Sequence, residues 1–166
     1  MRFIKVFSLG VLNVTKSQQT TMMADVEKEL RYIAGIIKQR GRVILNHYPI
    51  TAPQFVALQW LLEKGDMTIG ELSNYIHLAC STTTDLVDRM EKNDLVERVR
   101  DPKDRRVVRI HVLEKGEKII HEVIEKRQNY LEEVLKGVPE EDVETLNRLL
   151  HVLHENMKET DKETDN

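Results

Sequence analysis

The chain has 166 residues and a formal net charge of −3; 32% of its residues are charged and 40% are hydrophobic. This length suits one domain with its own core rather than two independent domains, and the composition, poor in glycine and proline, excludes fibrous and intrinsically disordered chains. The single cysteine, Cys80, excludes a disulfide framework and favours a reducing compartment, so the expected location is the cytoplasm.

The chain begins with a partly apolar segment, "MRFIKVFSLGVLNV". Lys5 interrupts the apolar run, no small-residue cleavage site follows it, and it is far too short to span a bilayer. We therefore interpret residues 1–22 as a weakly structured leader, or as residues upstream of the native start. No membrane partner is expected.

Two helices are predicted next. Apolar residues recur at helical spacing over about residues 23–46, which indicates a long amphipathic helix. Thr51 can cap a second helix, which has Pro53 in its first turn and should end at Gly65.

Two shorter helices and a hairpin follow. Thr68 and Glu71 have the spacing of a capping box, and Ser81 is a candidate N-cap for the next helix, so the pair has helix-turn-helix geometry. The β-branched runs "LVERVR" and "RVVRIHVL", separated by Asp101 and Pro102, predict a β-hairpin. A hairpin in this position is the wing of a winged helix.

Helical periodicity returns after the hairpin, with one helix ending at Gly137 and another starting at Pro139. These helices, over about residues 114–160, and the first long helix carry apolar stripes. The stripes are larger than a winged-helix core over about residues 51–113 can cover. They therefore predict dimerisation helices at both ends of the domain. Residues 161–166 are a polar tail. The predicted fold is mainly α with a small β-hairpin wing.

The segment "STTTDLVDRMEKNDLVERVRDPKDRRVVRIHVLEKGEKI" resembles the MarR family of bacterial transcription regulators, in which a recognition helix leads into a wing with an acidic and arginine-rich turn. The resemblance covers a single domain over about residues 23–160. It implies a homodimer that binds a near-palindromic operator in duplex DNA. It also implies a repressor that is released by a small-molecule effector or by thiol oxidation, with no cofactor.

Contacts of the recognition helix with DNA are expected from its outward polar side chains, because hydroxyls and a guanidinium can reach phosphates or base edges. These side chains are Ser81, Thr82, Thr84 and Arg89. Asp85 departs from the family pattern, since a carboxylate repels phosphate. It could accept a hydrogen bond from a cytosine amino group, or it could hold Arg89 at i, i+4 spacing. Asp94 stands where the family usually has glycine.

The wing concentrates six cations and two anions between Arg98 and Arg109. The resemblance places Arg106 at the wing tip in the minor groove, oriented by Asp104 and accompanied by Arg105. A narrow minor groove attracts such a guanidinium. The other cations would contact phosphates or hold the hairpin; they are Arg98, Arg100, Lys103 and Arg109. The alternative is that the charged side chains of the hairpin are only hydrated and contact no DNA.

Other sites are weaker hypotheses. Cys80, at the start of the recognition helix, is a small buried residue or the sensor of a redox-sensing repressor. Tyr48, Phe55 and Trp60 line an effector pocket or belong to the core. No catalytic motif or metal-ligand cluster is present, so the chain is not expected to be an enzyme.

A rival function is a protein-interaction module on a winged-helix scaffold. From Glu114 to Asn166 there are fifteen acids against eight Lys and Arg, which gives −7. That half of the chain repels DNA and could bind a protein partner instead.

Overall fold

The computed structural model describes the backbone of residues 4–164 and the side chains of residues 20–160. The described elements are α1 (Ile4–Leu45), α2 (Ala52–Lys64), α3 (Ile69–Ile76), α4 (Cys80–Lys92), β1 (Val96–Arg100), β2 (Val108–Val112), α5 (Glu114–Leu135) and α6 (Glu140–Thr164). This order confirms the predicted mainly α fold with a hairpin wing. The chain divides into two compact units, one up to His121 and one from Glu122 onward.

The predicted starts of α2 and α3 are confirmed, because both helices begin with a capping box. At α3, the Thr68 backbone N–H donates to Glu71 Oε2 at 2.7 Å, and the Glu71 N–H donates to Thr68 Oγ1 at 3.2 Å. At α2, Thr51 is paired in the same way with Gln54. Each box satisfies two backbone donors that a helix start would otherwise leave without partners.

Three helix boundaries differ from the predicted ones. Residues 4–22, interpreted as a leader, are helical and continue into the long predicted helix, since no proline interrupts backbone hydrogen bonding up to Leu45. The helix α4 begins at Cys80 after the N-cap Ala79, so Ser81 is inside the helix rather than its cap. The last helix extends to Thr164 and takes in most of the predicted polar tail.

The core of the first unit is built by the helix-turn-helix and the hairpin. Its most deeply buried apolar side chains include Phe55, Leu58, Leu72, Val87, Met90, Leu95, Val96 and Ile110. Burial of each such side chain contributes about 1.5–3 kcal/mol to folding. The recognition helix and the wing are therefore fixed on a common base.

The hairpin is antiparallel, with Val96 opposite Val112 and Arg98 opposite Ile110. A third segment joins it, because the Ile110 backbone N–H donates to the Met67 carbonyl oxygen at 2.7 Å. The wing base is thus tied to the loop between α2 and α3.

Gly116 lets the first turn of α5 approach the hairpin closely. A Cβ atom at this position would lie 2.5 Å from the Leu95 carbonyl oxygen and 3.0 Å from a methyl group of Val112. No side chain fits there without a backbone shift, which explains the glycine in the "EKG" turn.

Large apolar side chains are exposed on the long helices. On α1 they are Met22, Met23, Val26, Tyr32, Ile33, Ile36, Ile37 and Val43. In the second unit they are Leu131, Val134, Val138, Leu146, Leu149, Leu150, Val152 and Met157. No helix in the described part of the chain is long and apolar enough to cross a membrane.

Candidate nucleic-acid interface

The helix α4 has one buried face and one polar, outward face. Thr83, Val87 and Met90 are buried against the core. The outward face exposes Ser81, Thr82, Asp85 and Arg89. The predicted outward residues of the recognition helix therefore lie on one surface, at the i, i+3 and i+4 spacings of neighbours on a helix.

Thr84 is only partly exposed, and its hydroxyl has a partner within the helix. Its Oγ1 donates to the Cys80 carbonyl oxygen at 2.9 Å. The hydroxyl oxygen remains available as an acceptor, so Thr84 is better suited to a base amino group than to a phosphate oxygen.

Cys80 is exposed at the first position of α4, so the expectation of a small buried residue is wrong. Its Sγ lies 3.3 Å from Ser73 Oγ, and Ser73 itself donates to the Gly70 carbonyl oxygen at 2.8 Å. Since the only hydroxyl proton of Ser73 is used in that bond, the Cys80 thiol is the donor to Ser73. The contact joins the second helix of the motif to the first.

The wing turn is organised around Asp101. Its Oδ1 accepts the backbone N–H groups of Lys103 at 2.8 Å and Asp104 at 3.2 Å, and its Oδ2 accepts Arg109 Nε at 2.5 Å. The hydrogen bond from Arg109, followed by the two backbone bonds, lowers the pKa of Asp101 to about 2. This carboxylate therefore stays ionised and fixes the turn at any physiological pH.

Asp104 shapes the tip through the backbone rather than through a side-chain pair. Its Oδ1 accepts the Arg106 backbone N–H at 3.0 Å, and among the described residues its carboxylate makes no ion pair with the Arg106 guanidinium. Asp104 thus orients the backbone at Arg106, and its predicted role toward DNA stays a prediction. Lys103, Arg105 and Arg106 are exposed and form no ion pair in the described part of the chain.

Arg98 connects the wing to the recognition helix. Its Nη2 donates to Asp88 Oδ1 at 2.5 Å and its Nη1 donates to Glu91 Oε2, while its backbone N–H donates to Glu91 Oε1 at 3.2 Å. Partial burial opposes the charged form, but the bonds to the two carboxylates outweigh it and raise the pKa of Arg98. Of the two roles left open for Arg98, the structure favours holding the hairpin.

Arg109 holds the other side of the wing base. Its Nη1 donates to the Asp66 carbonyl oxygen and to Glu71 Oε2, both at 3.2 Å. The hydrogen bonds of the capping box with Thr68, and then the charge of Arg109, lower the pKa of Glu71. The Glu71 carboxylate thus caps the start of α3 and also binds Arg109 of the wing.

His111 makes a neighbouring contact, because its Nδ1 lies 2.9 Å from Asp66 Oδ1. This bond to Asp66, with smaller effects of Glu97 and Glu117, raises the pKa of His111. The wing base is thereby sensitive to histidine protonation.

The three proposed effector residues have different surroundings. Phe55 is 2% exposed and belongs to the core. Trp60 is half-buried, with its ring centroid 4.8 Å from that of Tyr75, and Tyr48 is half-buried at the end of the turn that follows α1. The core role is therefore the better description of Phe55.

The acceptors Asp66, Asp88 and Glu91 were missed by sequence reasoning. The signal available for two of them was their i, i+3 spacing on α4, which directs both carboxylates to one side of the helix. Nothing in the sequence indicated that Arg98, on the following strand, would lie opposite that side.

Comparison with known proteins decides the family. The model of the MarR family matches residues 50–108. The HTH-type transcriptional regulator YsmB of Bacillus subtilis is 62% identical over 136 residues, which cover 82% of this chain and 93% of the relative. The chain belongs to the MarR family.

Two further comparisons agree with this assignment. A MarR family protein from Bacillus stearothermophilus has a solved structure with a TM-score of 0.79 and 62% identity, covering 84% of this chain and 97% of that one. The transcriptional repressor IacR of Pseudomonas putida is 30% identical over 78% of this chain and 77% of its own length. The protein is therefore a DNA-binding transcription regulator of the MarR family.

Proposed function

We propose that this MarR-family protein is a homodimeric repressor that binds a near-palindromic operator in duplex DNA. The observation that carries the proposal is the charge distribution of the wing. Arg98 and Arg109 are engaged with carboxylates of the same unit, while Lys103, Arg105 and Arg106 are exposed at the turn. Exposed cations at the turn can contact phosphates and enter a narrow minor groove, whose potential is negative.

Each outward residue has a role in the proposal. Ser81 and Thr82 contact phosphates or bases, Thr84 accepts a hydrogen bond from a base amino group, and Arg89 reaches a base or a phosphate in the major groove. Arg106 enters the minor groove with Arg105 and Lys103 on the flanking phosphates. No side chain caps the N-terminus of α4, so its first amides can also receive a phosphate oxygen.

The homodimer is supported by the exposed apolar side chains of α1 and, separately, of the second unit. Monomeric proteins seldom expose so many large apolar side chains on their helices, and a second copy would bury them. Two copies would present two recognition helices, so the operator would contain two half-sites about one helical turn apart. A protein that acts on DNA in this way works in the cytoplasm of a bacterium.

Selection of bound genomic fragments by the purified protein tests the proposal. A recurring inverted repeat and a steep loss of affinity with added salt are expected, because the wing cations displace counterions from phosphates. Negligible affinity for duplex DNA even at low salt would refute the proposal and favour the protein-interaction module. Repression is tested by placing the recovered repeat across a promoter, where the protein should lower transcription.

The proposal includes release from DNA by a small-molecule effector, which the resemblance to the family supports. An effector that binds the DNA-free conformation more tightly would shift the population toward it and lower operator affinity. Trp60 offers a fluorescence probe near the half-buried aromatic residues. A compound that lowers operator affinity without changing Trp60 emission would argue against a site at these residues.

A redox-sensing repressor is a second candidate, supported by the exposure of Cys80 at the start of the recognition helix. Oxidation there would add a bulky or charged group beside Ser81 and the DNA. Peroxide should then weaken operator binding by the wild type, and a thiol reductant should restore it. Equal sensitivity of Cys80→Ser would exclude this candidate.

A further inference from the structure

The recognition helix carries three acidic side chains, and they have different surroundings. Asp88 and Glu91 both accept hydrogen bonds from Arg98, whose single positive charge they share. Asp85 is exposed on the outward face and has no hydrogen bond or ion pair among the described residues. Among the acids of α4, Asp85 is therefore the one without a hydrogen-bond or ion-pair partner in the described part of the chain.

The structure also removes a purely local role for Asp85. Arg89 lies four residues further along the same face, but the two side chains form no ion pair in the described part of the chain. Ser81 and Thr82 precede Asp85 by four and three residues, so Asp85 lies between them and Arg89 on the surface that faces DNA. Asp85 is therefore free to accept a hydrogen bond from a group on the DNA.

Duplex DNA offers few groups that suit a carboxylate. Phosphates repel it, and the major-groove edges of guanine and thymine present only hydrogen-bond acceptors and a methyl group. Adenine presents an amino group beside the acceptor N7, which also repels a carboxylate. Cytosine alone presents an amino group, N4, with no acceptor beside it.

We propose that Asp85 is a specificity-determining residue, whose carboxylate accepts a hydrogen bond from the N4 amino group of one cytosine in each half-site. The proposal rests on the proposed function, because it requires α4 to enter the major groove. Asp85 contributes mainly by disfavouring the wrong DNA sequences. It weakens binding to sequences without that cytosine more than it strengthens binding to those with it, because its charge is compensated only at the right base.

Selection from a random duplex library with the wild type, Asp85→Asn and Asp85→Ala tests the assignment. The wild type should show a cytosine at one position of each half-site. Asp85→Ala should lose the preference at that position alone. Asp85→Asn should move it toward adenine, since an amide can pair with both N6 and N7. Asp94→Asn is the matched control, because it removes the same charge at an exposed position beyond the end of α4.

Affinity measurements on the selected operator give the magnitude. Replacing the cytosine with thymine, in both half-sites, should weaken binding by the wild type about 5- to 10-fold per half-site. The same replacement should change binding by Asp85→Ala less than about twofold. Both variants should bind mixed non-operator duplex more tightly than the wild type, because a repulsive charge is removed.

The possible outcomes distinguish failure of the proposed function from failure of the role of Asp85. If the wild type selects no recurring motif, the proposed function fails. If the wild type and Asp85→Ala select the same motif and both variants merely bind all sequences more tightly, DNA binding stands and the role of Asp85 in base selection is refuted.

Discussion

Replacement of Arg98 by glutamine tests whether this arginine positions the recognition helix. Arg98 has 28% of its side chain exposed, and its partners Asp88 and Glu91 have 47% and 39% exposed. Because both acids are more than one-third exposed, water screens each pair, and each contributes about 0.5–1 kcal/mol. Arg98→Gln should therefore lower the free energy of unfolding by about 1–2 kcal/mol, measured by urea denaturation.

The DNA-binding assay is a mutant cycle with Asp88→Asn/Glu91→Gln as the second background. If Arg98 positions the helix and offsets part of the charge of its two acids, Arg98→Gln should weaken operator binding in the wild-type background. Arg98→Gln should have little effect in the Asp88→Asn/Glu91→Gln background, because the carboxylates that Arg98 binds are absent there. Lys64→Gln is the control, because it removes one positive charge at an exposed position at the end of α2, outside the recognition helix and the wing.

The result that refutes this reasoning is an equal loss of affinity in both backgrounds. A direct phosphate contact by Arg98 would behave in that way, and it would also reduce the dependence of log K on log[salt] by about one unit. A positioning residue would leave that slope close to its wild-type value.

Three further predictions concern the wing and its base. Arg106→Ala should weaken operator binding and reduce the salt slope by about one unit while unfolding stays unchanged; unchanged operator affinity would remove Arg106 from the interface. Gly116→Ala should cost about 1–3 kcal/mol of stability in urea denaturation, since its Cβ would lie 2.5 Å from the Leu95 carbonyl oxygen, and a neutral result would mean that α5 shifts freely. Because Asp66 raises the pKa of His111 in the folded state, the contribution of this pair is full below the unfolded pKa and is lost as pH rises through the folded pKa. His111→Gln should thus be less stable than the wild type at pH 5.5 and equal to it at pH 8.5; a difference that persists at pH 8.5 would show that charge is not the cause.

Much of the fold could be predicted because its signals are local. The capping residues Thr51 and Thr68 and the turn residues Asp101 and Pro102 act within three or four residues of themselves, so they mark helix starts and the hairpin directly. Asp94 has a φ of 57°, as expected for a position where relatives of this family use glycine. The start of α4 was misplaced because Ala79 caps it without a side-chain bond, which leaves no residue pattern to read.

The site was predicted in its chemistry but only partly in its roles. The outward face of α4 and the exposed wing tip follow from periodicity and charge, and their residues were named from the sequence alone. The distinction between engaged and available cations did not follow, because all six wing cations look alike in a one-dimensional pattern.

The sequence by itself determined the order of elements, the polar face of the recognition helix and the concentration of cations in the turn, since each depends on neighbours along the chain. Only the tertiary structure decided which charges compensate one another. Arg98 meets acids seven and ten residues away, and Arg109 meets Glu71 at a separation of 38 residues. Such pairs form when packed elements bring distant residues together, whereas Arg106 and Asp85 stay exposed and without ion pairs in the described part of the chain.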